Sequence, residues 1–172
     1  MAREVDISTL LSRQAGTRRF TQPIGMIGPG EGGIEDCEAA YAAAQAFARA
    51  GLHVICGGRG GVMKAASAGA RAAGGVVVGI LPEDDIRAAN PYLTVAIATG
   101  MGEMRNALIA RSSLCLVAIG GGIGTLSEIA LGLKWGKRVF ALNSDADLPG
   151  MIKVESVNEL IDVVLEWLAA HP

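Results

Sequence analysis

An apolar run near position 118 ends in closely spaced glycines, and a helical pattern with one acid begins directly after them. Glycine lets a backbone approach a ligand closely, and the N–H groups at the start of a helix carry partial positive charge. The combination predicts a phosphate site, with the carboxylate one turn into the helix and within reach of a sugar. The stretch is AIGGGIGTLSE, and the predicted contacts are Gly121, Gly122, Gly124, Thr125 and Glu128.

Two further glycine clusters occupy equivalent places earlier in the chain. GPGEGG at 28–33 and GGRGG at 57–61 each follow an apolar run and precede a helical pattern. A tight turn between strand and helix explains any one cluster, but three clusters at the carboxyl edge of one sheet predict a shared ligand site. Arg59 and Lys64 suit either a phosphate contact or plain exposure to solvent. The predicted ligand contacts are Gly28, Gly30, Gly58, Arg59, Gly60 and Gly61.

The first cluster has the letters of the dinucleotide fingerprint G-x-G-x-x-G. That fingerprint also needs an acid about 20 residues further on, at the end of the second strand, to hold the ribose hydroxyls. The second strand ends in VICGG without a carboxylate, although Arg59 could take a 2′-phosphate. Glu31, Glu35 and Asp36 make the first loop a poor phosphate site. The pattern therefore disfavours dinucleotide redox chemistry and leaves the first loop to a sugar or a base.

The apolar periodicity predicts the elements that position these loops. Short, continuously apolar runs alternate with helical patterns, which is typical of a parallel sheet covered on both faces. We predict an α/β fold, a Rossmann-like three-layer sandwich with a mostly parallel, doubly wound sheet. Residues 23–172 form a single domain in this prediction, and residues 1–22 form an N-terminal tail or a short capping segment. The predicted strands are 24–27, 52–56, 76–81, 93–98, 114–119, 138–142 and 151–154, and the predicted helices are 34–51, 61–75, 101–113, 123–136 and 156–171.

The composition limits the class of protein and of partner. Hydrophobic residues make up 51% of the 172 residues, and the net charge of -2 argues against broad binding of nucleic acid. No apolar run approaches the roughly 20 residues that span a bilayer, and the N-terminal residues lack the apolar segment of a signal peptide. We therefore expect a cytoplasmic protein without a membrane or nucleic-acid partner. Three separated cysteines and two histidines predict reduced thiols and no metal site.

Two longer stretches resemble a known family. They are CGGRGGVMKAASAGARAAGG at 56–75 and GMGEMRNALIARSSLCLVAIGGGIGTLSEIALGLKWGKRVFALN at 100–143. Both resemble the Lonely Guy (LOG) superfamily, whose members are also called possible lysine decarboxylases. The resemblance extends from about Ile24 to Leu168, and it is greatest to the branch of the molybdenum cofactor carrier protein.

The resemblance implies an activity and a pair of catalytic residues. LOG enzymes cleave the N-glycosidic bond of nucleoside 5′-monophosphates and release a base and ribose 5-phosphate. Their motif P-G-G-x-G-T-x-x-E is matched here from Gly121 to Glu128, and Arg105 takes the place of the family's arginine in the preceding helix. By resemblance, Arg105 would hold the base or the ribose, and Glu128 would stabilise a cation-like transition state or position the water.

Two departures from the LOG motif point to the carrier branch. Gly120 stands where the motif has proline, and Asn106 replaces the lysine that follows the arginine. Two functions therefore stay open: a phosphoribohydrolase, or a carrier that binds a phosphorylated cofactor such as the molybdenum cofactor without cleaving it. We expect no required cofactor beyond such a carried ligand. The resemblance also implies a homodimer or a homotetramer.

Glu128 and Arg105 also have explanations that involve no ligand. Thr125-Leu126-Ser127-Glu128 has the form of a capping box, in which the acid bonds back to the backbone of the threonine. Arg105 could be a solvated residue on an exposed helix. Both alternatives stay open at this point, and a capping Glu128 could still turn to a ligand.

Overall fold

A computed structural model describes residues 7–171, in which seven strands are connected mostly by helices. The strands are β1 Ile24–Ile27, β2 Val54–Cys56, β3 Val77–Leu81, β4 Val95–Ala98, β5 Leu116–Ile119, β6 Val139–Leu142 and β7 Met151–Val154. The helices are α1 Ile7–Ala15, α2 Ile34–Arg49, α3 Gly61–Ala72, α4 Asn106–Ser112, α5 Ile123–Lys134 and α6 Val157–Ala170, and a 3-10 turn at Gly102–Arg105 leads into α4. Within residues 7–171, no helix is both long and apolar enough to cross a membrane.

The strands form one sheet in the order β4-β3-β2-β1-β5-β6-β7, and every pairing among the described strands is parallel. This confirms the predicted α/β, Rossmann-like fold with a doubly wound sheet. The strand order reverses between β1 and β5, where Gly25 lies opposite Leu116 and Ile27 lies opposite Ala118. Ligands of open parallel sheets bind at the carboxyl edge beside such a reversal.

Two apolar cores flank the sheet. One lies under α2, α3 and α6 and contains Phe47 and, from α1, Leu10. The other lies under α4 and α5 and contains Ile109. Small residues let the helices pack closely, since a Cβ on Gly69 of α3 would lie 2.1 Å from the Tyr41 carbonyl oxygen of α2. The loops at the carboxyl edge are therefore held by helices on both faces of the sheet.

The helix predicted at 101–113 is divided in the structure. Gly100 and Gly102 have φ values of +63° and +57°, which lie in the left-handed region. Such residues do not fit inside an α-helix, so no α-helix can begin at Met101. A 3-10 turn follows at Gly102–Arg105, and α4 begins at Asn106. The division places Arg105 at the junction of the two elements, where it is buried.

Part of the N-terminal segment is helical and lies against α6. Leu10 of α1 is 1% exposed, and Arg13 Nη1 donates to the carbonyl oxygen of His171, just beyond the end of α6. The Arg13 guanidinium also lies 3.8 Å from the centre of the Phe20 ring. These contacts attach α1 to the rest of the domain. Residues 1–6 of the segment lie outside the described part of the chain.

Candidate functional site

A cavity of about 400 Å³ opens at the carboxyl edge of the sheet, beside the reversal between β1 and β5. Its walls are the loops after β1, β2 and β5, the 3-10 turn and the first turn of α5. The site residues expected from the sequence come together there, with the exception of Gly58 and Gly61. Those that line the cavity are Gly28, Gly30, Arg59, Gly60, Arg105, Gly121, Gly122, Gly124, Thr125 and Glu128.

The start of α5 forms one wall and is free to bind an anion. The helix begins at Ile123, with Gly122 before it at a φ of 124°, and no side chain caps this end. The first N–H groups of such a helix have no partner within it, and the helix dipole adds partial positive charge. A Cβ placed on Gly122 or Gly124 would meet no heavy atom within 4 Å. The glycines therefore leave open space above the N–H groups, where a phosphate fits.

The capping-box alternative for Glu128 is wrong. A capping box needs Thr125 to precede the helix, whereas α5 already begins at Ile123. The Leu126 N–H donates to the carbonyl oxygen of Gly122, the residue before the helix, at 2.9 Å. Thr125 is therefore inside the first turn. The carboxyl of Glu128 is not used as a cap, and it lines the cavity.

Arg105 is buried at the cavity and is not a solvated helix residue. It is 5% exposed, one guanidinium nitrogen donates to Asn106 Oδ1, and its Nε has no hydrogen-bond partner among residues 7–171. The guanidinium packs on Gly57, where an added Cβ would lie 2.7 Å from Nη2. A buried charged donor without a partner costs free energy, which a bound anion would recover. The position of Arg105 therefore suits an anionic ligand.

Asn106 connects Arg105 to the start of α5. Its Oδ1 accepts from the Arg105 guanidinium, and its Nδ2 donates to Ser127 Oγ at 3.0 Å and to the Gly124 carbonyl oxygen at 3.5 Å. Ser127 Oγ donates to the same carbonyl at 2.6 Å. Both ends of this buried amide are thus bonded within the protein. Asn106 therefore orients the guanidinium relative to the wall formed by α5.

Glu128 lies one turn along α5 and is 6% exposed. Burial raises the pKa of its carboxyl from an ordinary 4.5 to about 8, while the Arg105 guanidinium opposes the rise and the Glu103 carboxylate adds to it. Among the ion pairs of residues 7–171, none joins Glu128 to Arg105. At pH 7 the ligand-free site therefore holds a mostly protonated carboxyl near a charged guanidinium.

Replacing Glu128 by Gln should change how the free energy of unfolding depends on pH. Because the folded pKa lies above the ordinary value, folding takes up a proton between about pH 4.5 and pH 8, and wild-type stability falls across that window. Glu128→Gln removes this titration, so the variant should gain stability over wild type between about pH 4.5 and about pH 8.5. Urea unfolding at both pH values measures the gain. Glu38→Gln on the exposed face of α2 is the control, and an equal difference at both pH values would contradict the raised pKa.

The second glycine loop is shared between the cavity and the core. Gly58 and Gly61 have φ values of +76° and +56° and do not line the cavity. A Cβ on Gly58 would lie 3.0 Å from Leu81 Cδ2, and one on Gly61 would lie 2.4 Å from the Pro29 carbonyl oxygen. Both glycines therefore serve the packing of the loop. Their placement gives no support to the ligand contacts expected of them.

Asn90 holds this loop in place, and no pattern in the sequence indicates this role. The residue is 8% exposed, its N–H donates to the Gly58 oxygen at 2.9 Å, and its Nδ2 donates to the Arg59 oxygen at 3.2 Å. Its segment, PEDDIRAANPY, has the polar composition of a solvated loop. Arg59 itself lies at the cavity and pairs with Glu83, Nε to Oε1, at 3.4 Å. Lys64 is exposed and does not line the cavity.

Gly120, which stands in place of the motif proline, has a backbone that proline cannot adopt. Its φ is +77°, and its N–H donates to the Leu142 carbonyl oxygen at 3.0 Å. Proline has a φ near −65° and no N–H. A Cβ at this position would also lie 2.6 Å from Asp36 Oδ2. The loop from Gly120 to Gly122 therefore differs in backbone from one that begins with proline.

Gly57 was not among the ligand contacts predicted for the loop after β2, although it lies at the cavity. Gly57 lines the cavity and supports Arg105, whereas Gly58 does not line it. The signal was the alternation of side chains along β2, because Ile55 faces the core under α4 and α5. Gly57, two residues further on, faces the same side as α4. Glu103 also lines the cavity, together with Glu31, and was not among the predicted site residues.

Solved structures similar to this chain include a molybdenum cofactor binding protein and a molybdenum cofactor carrier protein. The molybdenum cofactor binding protein of the phototrophic bacterium Rippkaea orientalis matches with a TM-score of 0.81 and 36% identity, over 87% of this chain and 99% of that one. The molybdenum cofactor carrier protein of Chlamydomonas reinhardtii matches with a TM-score of 0.79 and 33% identity, over 86% and 99%. An uncharacterised protein of Archaeoglobus fulgidus is 44% identical over 140 residues, which are 81% of this chain and 91% of that protein.

A family model covers most of the chain. The model of the SLOG cluster4 family matches residues 21–164, which include every loop of the cavity. This match confirms the LOG-type resemblance of the sequence, and the solved structures agree with its similarity to the carrier branch. The chain belongs to the SLOG cluster4 family.

Proposed function

We propose that this protein binds and carries a phosphorylated, pterin-type small molecule such as the molybdenum cofactor, without cleaving it. The observation that carries the proposal is the buried Arg105 guanidinium, whose Nε lacks a partner among residues 7–171. It lines the same cavity as the uncapped start of α5, and both features favour an anion. The similarity to a molybdenum cofactor binding protein and a carrier protein supports a phosphorylated pterin as that anion.

In this proposal the phosphate occupies the space above Gly122 and Gly124, where N–H groups of the first turn of α5 donate to it. Arg105 supplies a full positive charge from the side of α4. The cavity of about 400 Å³ is of the size of small-molecule sites, roughly 300–1,000 Å³. Glu31 and Glu103 would repel a phosphate. They would instead face the heterocyclic ring of the ligand, whose amino and N–H groups can donate to carboxylates.

Features of the loop and of the carboxyl favour carriage over hydrolysis. Gly120 has a backbone that the proline of the LOG motif cannot adopt, and Asn106 orients Arg105 where the LOG enzymes have a lysine. The raised pKa of Glu128 leaves little negative charge at pH 7. A cation-like transition state needs that charge for its stabilisation. The ligand-free site is therefore poorly prepared for N-glycosidic cleavage at neutral pH.

A LOG-type phosphoribohydrolase is the second candidate, because Arg105 and Glu128 line the same cavity as the start of α5. With a phosphate bound there, the ribose of a nucleoside 5′-monophosphate would lie near Glu128. Water would add to the ribose carbon as the N-glycosidic bond breaks and the base leaves with its electron pair and a proton. Since the role needs an ionised Glu128, such activity should increase as the pH approaches 8.

Two measurements on the purified protein separate these functions. For a carrier, mass spectrometry of the natively purified protein should find a bound phosphorylated pterin, and incubation with guanosine 5′-monophosphate should release no free guanine. For a hydrolase, guanine should appear, and Glu128→Gln should slow its release by about 100-fold or more. If Glu128→Gln releases guanine as fast as the wild type does, the protein is neither a carrier that leaves its ligand intact nor a hydrolase that depends on this carboxyl.

We also propose that the protein is a homodimer, or a homotetramer built from such dimers. Val95 and Ile97 of the edge strand β4 are 45% and 44% exposed, and their pairing with β3 places them on the α4 side of the sheet. Met104 and Leu108, 72% and 39% exposed, continue the apolar surface on the 3-10 turn and α4. Contiguous apolar surface of this kind favours association.

Light scattering at micromolar concentration should therefore give at least twice the monomer mass of 17.6 kDa. The double substitution Ile97→Glu and Met104→Glu should shift the mass to that of a monomer, because it places charge in the apolar surface. Ile34→Glu is the control, since Ile34 is 82% exposed at the start of α2, away from that surface. A monomer mass for the wild type would refute the assembly.

A further inference from the structure

A second cavity, of about 270 Å³, lies on the other side of the Gly121–Gly122 loop. Ile123, Leu126 and Ile129 of α5 form its apolar wall. The opposite wall is the segment 144–146, between β6 and β7. The function proposed above makes no use of this cavity, which adjoins the phosphate position directly.

The two cavities adjoin at the Gly121–Gly122 backbone, which carries no side chain, and at Thr125. Both are lined by Gly121, Gly122 and Thr125. A Cβ on Gly122 would meet nothing within 4 Å, and the nearest atom to a Cβ on Gly121 would be Asp145 Oδ2 at 3.6 Å. A phosphate bound at the start of α5 would therefore contact both cavities, and a group attached to it could continue from one into the other.

The second cavity has the chemistry of a site for a flat heteroaromatic ring. Ile129 is 1% exposed and forms an apolar floor, whereas Ile123 is left 84% exposed at the edge. Large apolar side chains in contact with water gain free energy when a ring covers them. Asp145 lies exposed on the facing wall, and a carboxylate there can accept hydrogen bonds from a ring amino group.

We infer that the natural ligand consists of two halves joined through a pyrophosphate at the start of α5. One half, the phosphorylated heterocycle, occupies the larger cavity with Arg105 and Glu128. The other half, a nucleoside, places its base in the second cavity between Leu126 and Asp145. The inference rests on the proposed phosphate position. It extends the proposed ligand from one phosphorylated heterocycle to a dinucleotide-like molecule that also carries a nucleoside. Dinucleotides cross the carboxyl edge of other doubly wound sheets in a similar way.

Two probes that differ only in the second half test this inference. Guanosine 5′-monophosphate has one nucleoside and one phosphate, and P1,P2-di(guanosine-5′) pyrophosphate has two nucleosides joined through a pyrophosphate. Titration calorimetry with the wild type should give an affinity for the two-nucleoside probe at least about tenfold higher. Leu126→Trp fills the second cavity, so it should remove this difference and change the affinity for guanosine 5′-monophosphate by less than about twofold.

Ala130→Trp is the matched control, because Ala130 is exposed on α5 and lines neither cavity. It should leave both affinities unchanged. Equal affinities of the two probes for the wild type would overturn the two-part ligand and leave the proposed function intact. An equal loss of affinity for both probes in Leu126→Trp would also overturn the two-part ligand. If neither probe binds, the pyrophosphate position at the start of α5 fails and the two-part ligand with it, whereas mass spectrometry of the native protein tests the carried pterin separately.

Discussion

Replacing Gly124 by Val should abolish ligand binding and leave the free protein at least as stable as wild type. Gly124 lies in the first turn of α5, and a Cβ there would extend into open space at the cavity. The branched side chain would occupy the position proposed for the phosphate. We expect a loss of affinity of about 100-fold or more, since charge-assisted hydrogen bonds are worth roughly 1.5–3 kcal/mol each. Valine also has a higher helix propensity than glycine, by a few tenths of a kcal/mol.

Ala130→Val is the control for this experiment, because it adds a branched side chain to an exposed position of the same helix. It should leave the affinity unchanged. Titration calorimetry with guanosine 5′-monophosphate, or with the ligand recovered from the native protein, measures binding, and urea unfolding measures stability. If Gly124→Val binds either ligand as wild type does, the phosphate does not lie at the start of α5.

Replacing Gly57 by Ala should weaken the binding of an anionic ligand by about tenfold or more, the equivalent of one charge-assisted hydrogen bond. An added Cβ would lie 2.5 Å from Met63 Sδ and 2.7 Å from Arg105 Nη2. Both are the ends of flexible side chains, so they can shift at a small cost in stability. The shift moves the guanidinium away from the position in which Asn106 orients it. The effect on binding should therefore exceed the effect on stability.

A double-mutant cycle makes this prediction specific to Arg105. If Gly57→Ala acts through the guanidinium, then adding it to Arg105→Ala should cause no further loss of affinity. Gly33→Ala is the control, because Gly33 is exposed, has a φ of -64° and has no neighbour within 4 Å of an added Cβ. Additive losses in the double variant would show that Gly57 acts on the ligand by another route.

The fold could be predicted because its signals are local and repeated. The apolar run IGMI forms β1 over the predicted residues, and the glycine clusters begin where the strands end. Parallel strands then bring those ends to one edge without further information. Arg105 came from the family resemblance, Glu128 came from the glycine-rich stretch as well as the resemblance, and the structure places both at the cavity. Their roles, and those of the glycines, stay predictions.

What the sequence could not provide depends on side-chain contacts between distant segments. Nothing in the letters shows that Asn90 holds the second glycine loop or that Asn106 orients Arg105. The capping-box interpretation of Glu128 failed because the same letters fit two helix starts, and only the backbone at Gly122 decides between them. The raised pKa of Glu128 likewise follows from burial, which the chain acquires only on folding.

The contact between the first two glycine loops has a consequence for the kinetics of ligand exchange. Gly61 packs against the Pro29 carbonyl oxygen, and the Val62 N–H donates to that oxygen at 3.1 Å. The loops are thereby joined backbone to backbone, so neither can open as a lid without the other. A ligand would enter a preformed site, and ligands would differ mainly in how slowly they leave. The rate of release of a bound molecule would then be set by its own dissociation and not by the opening of a loop.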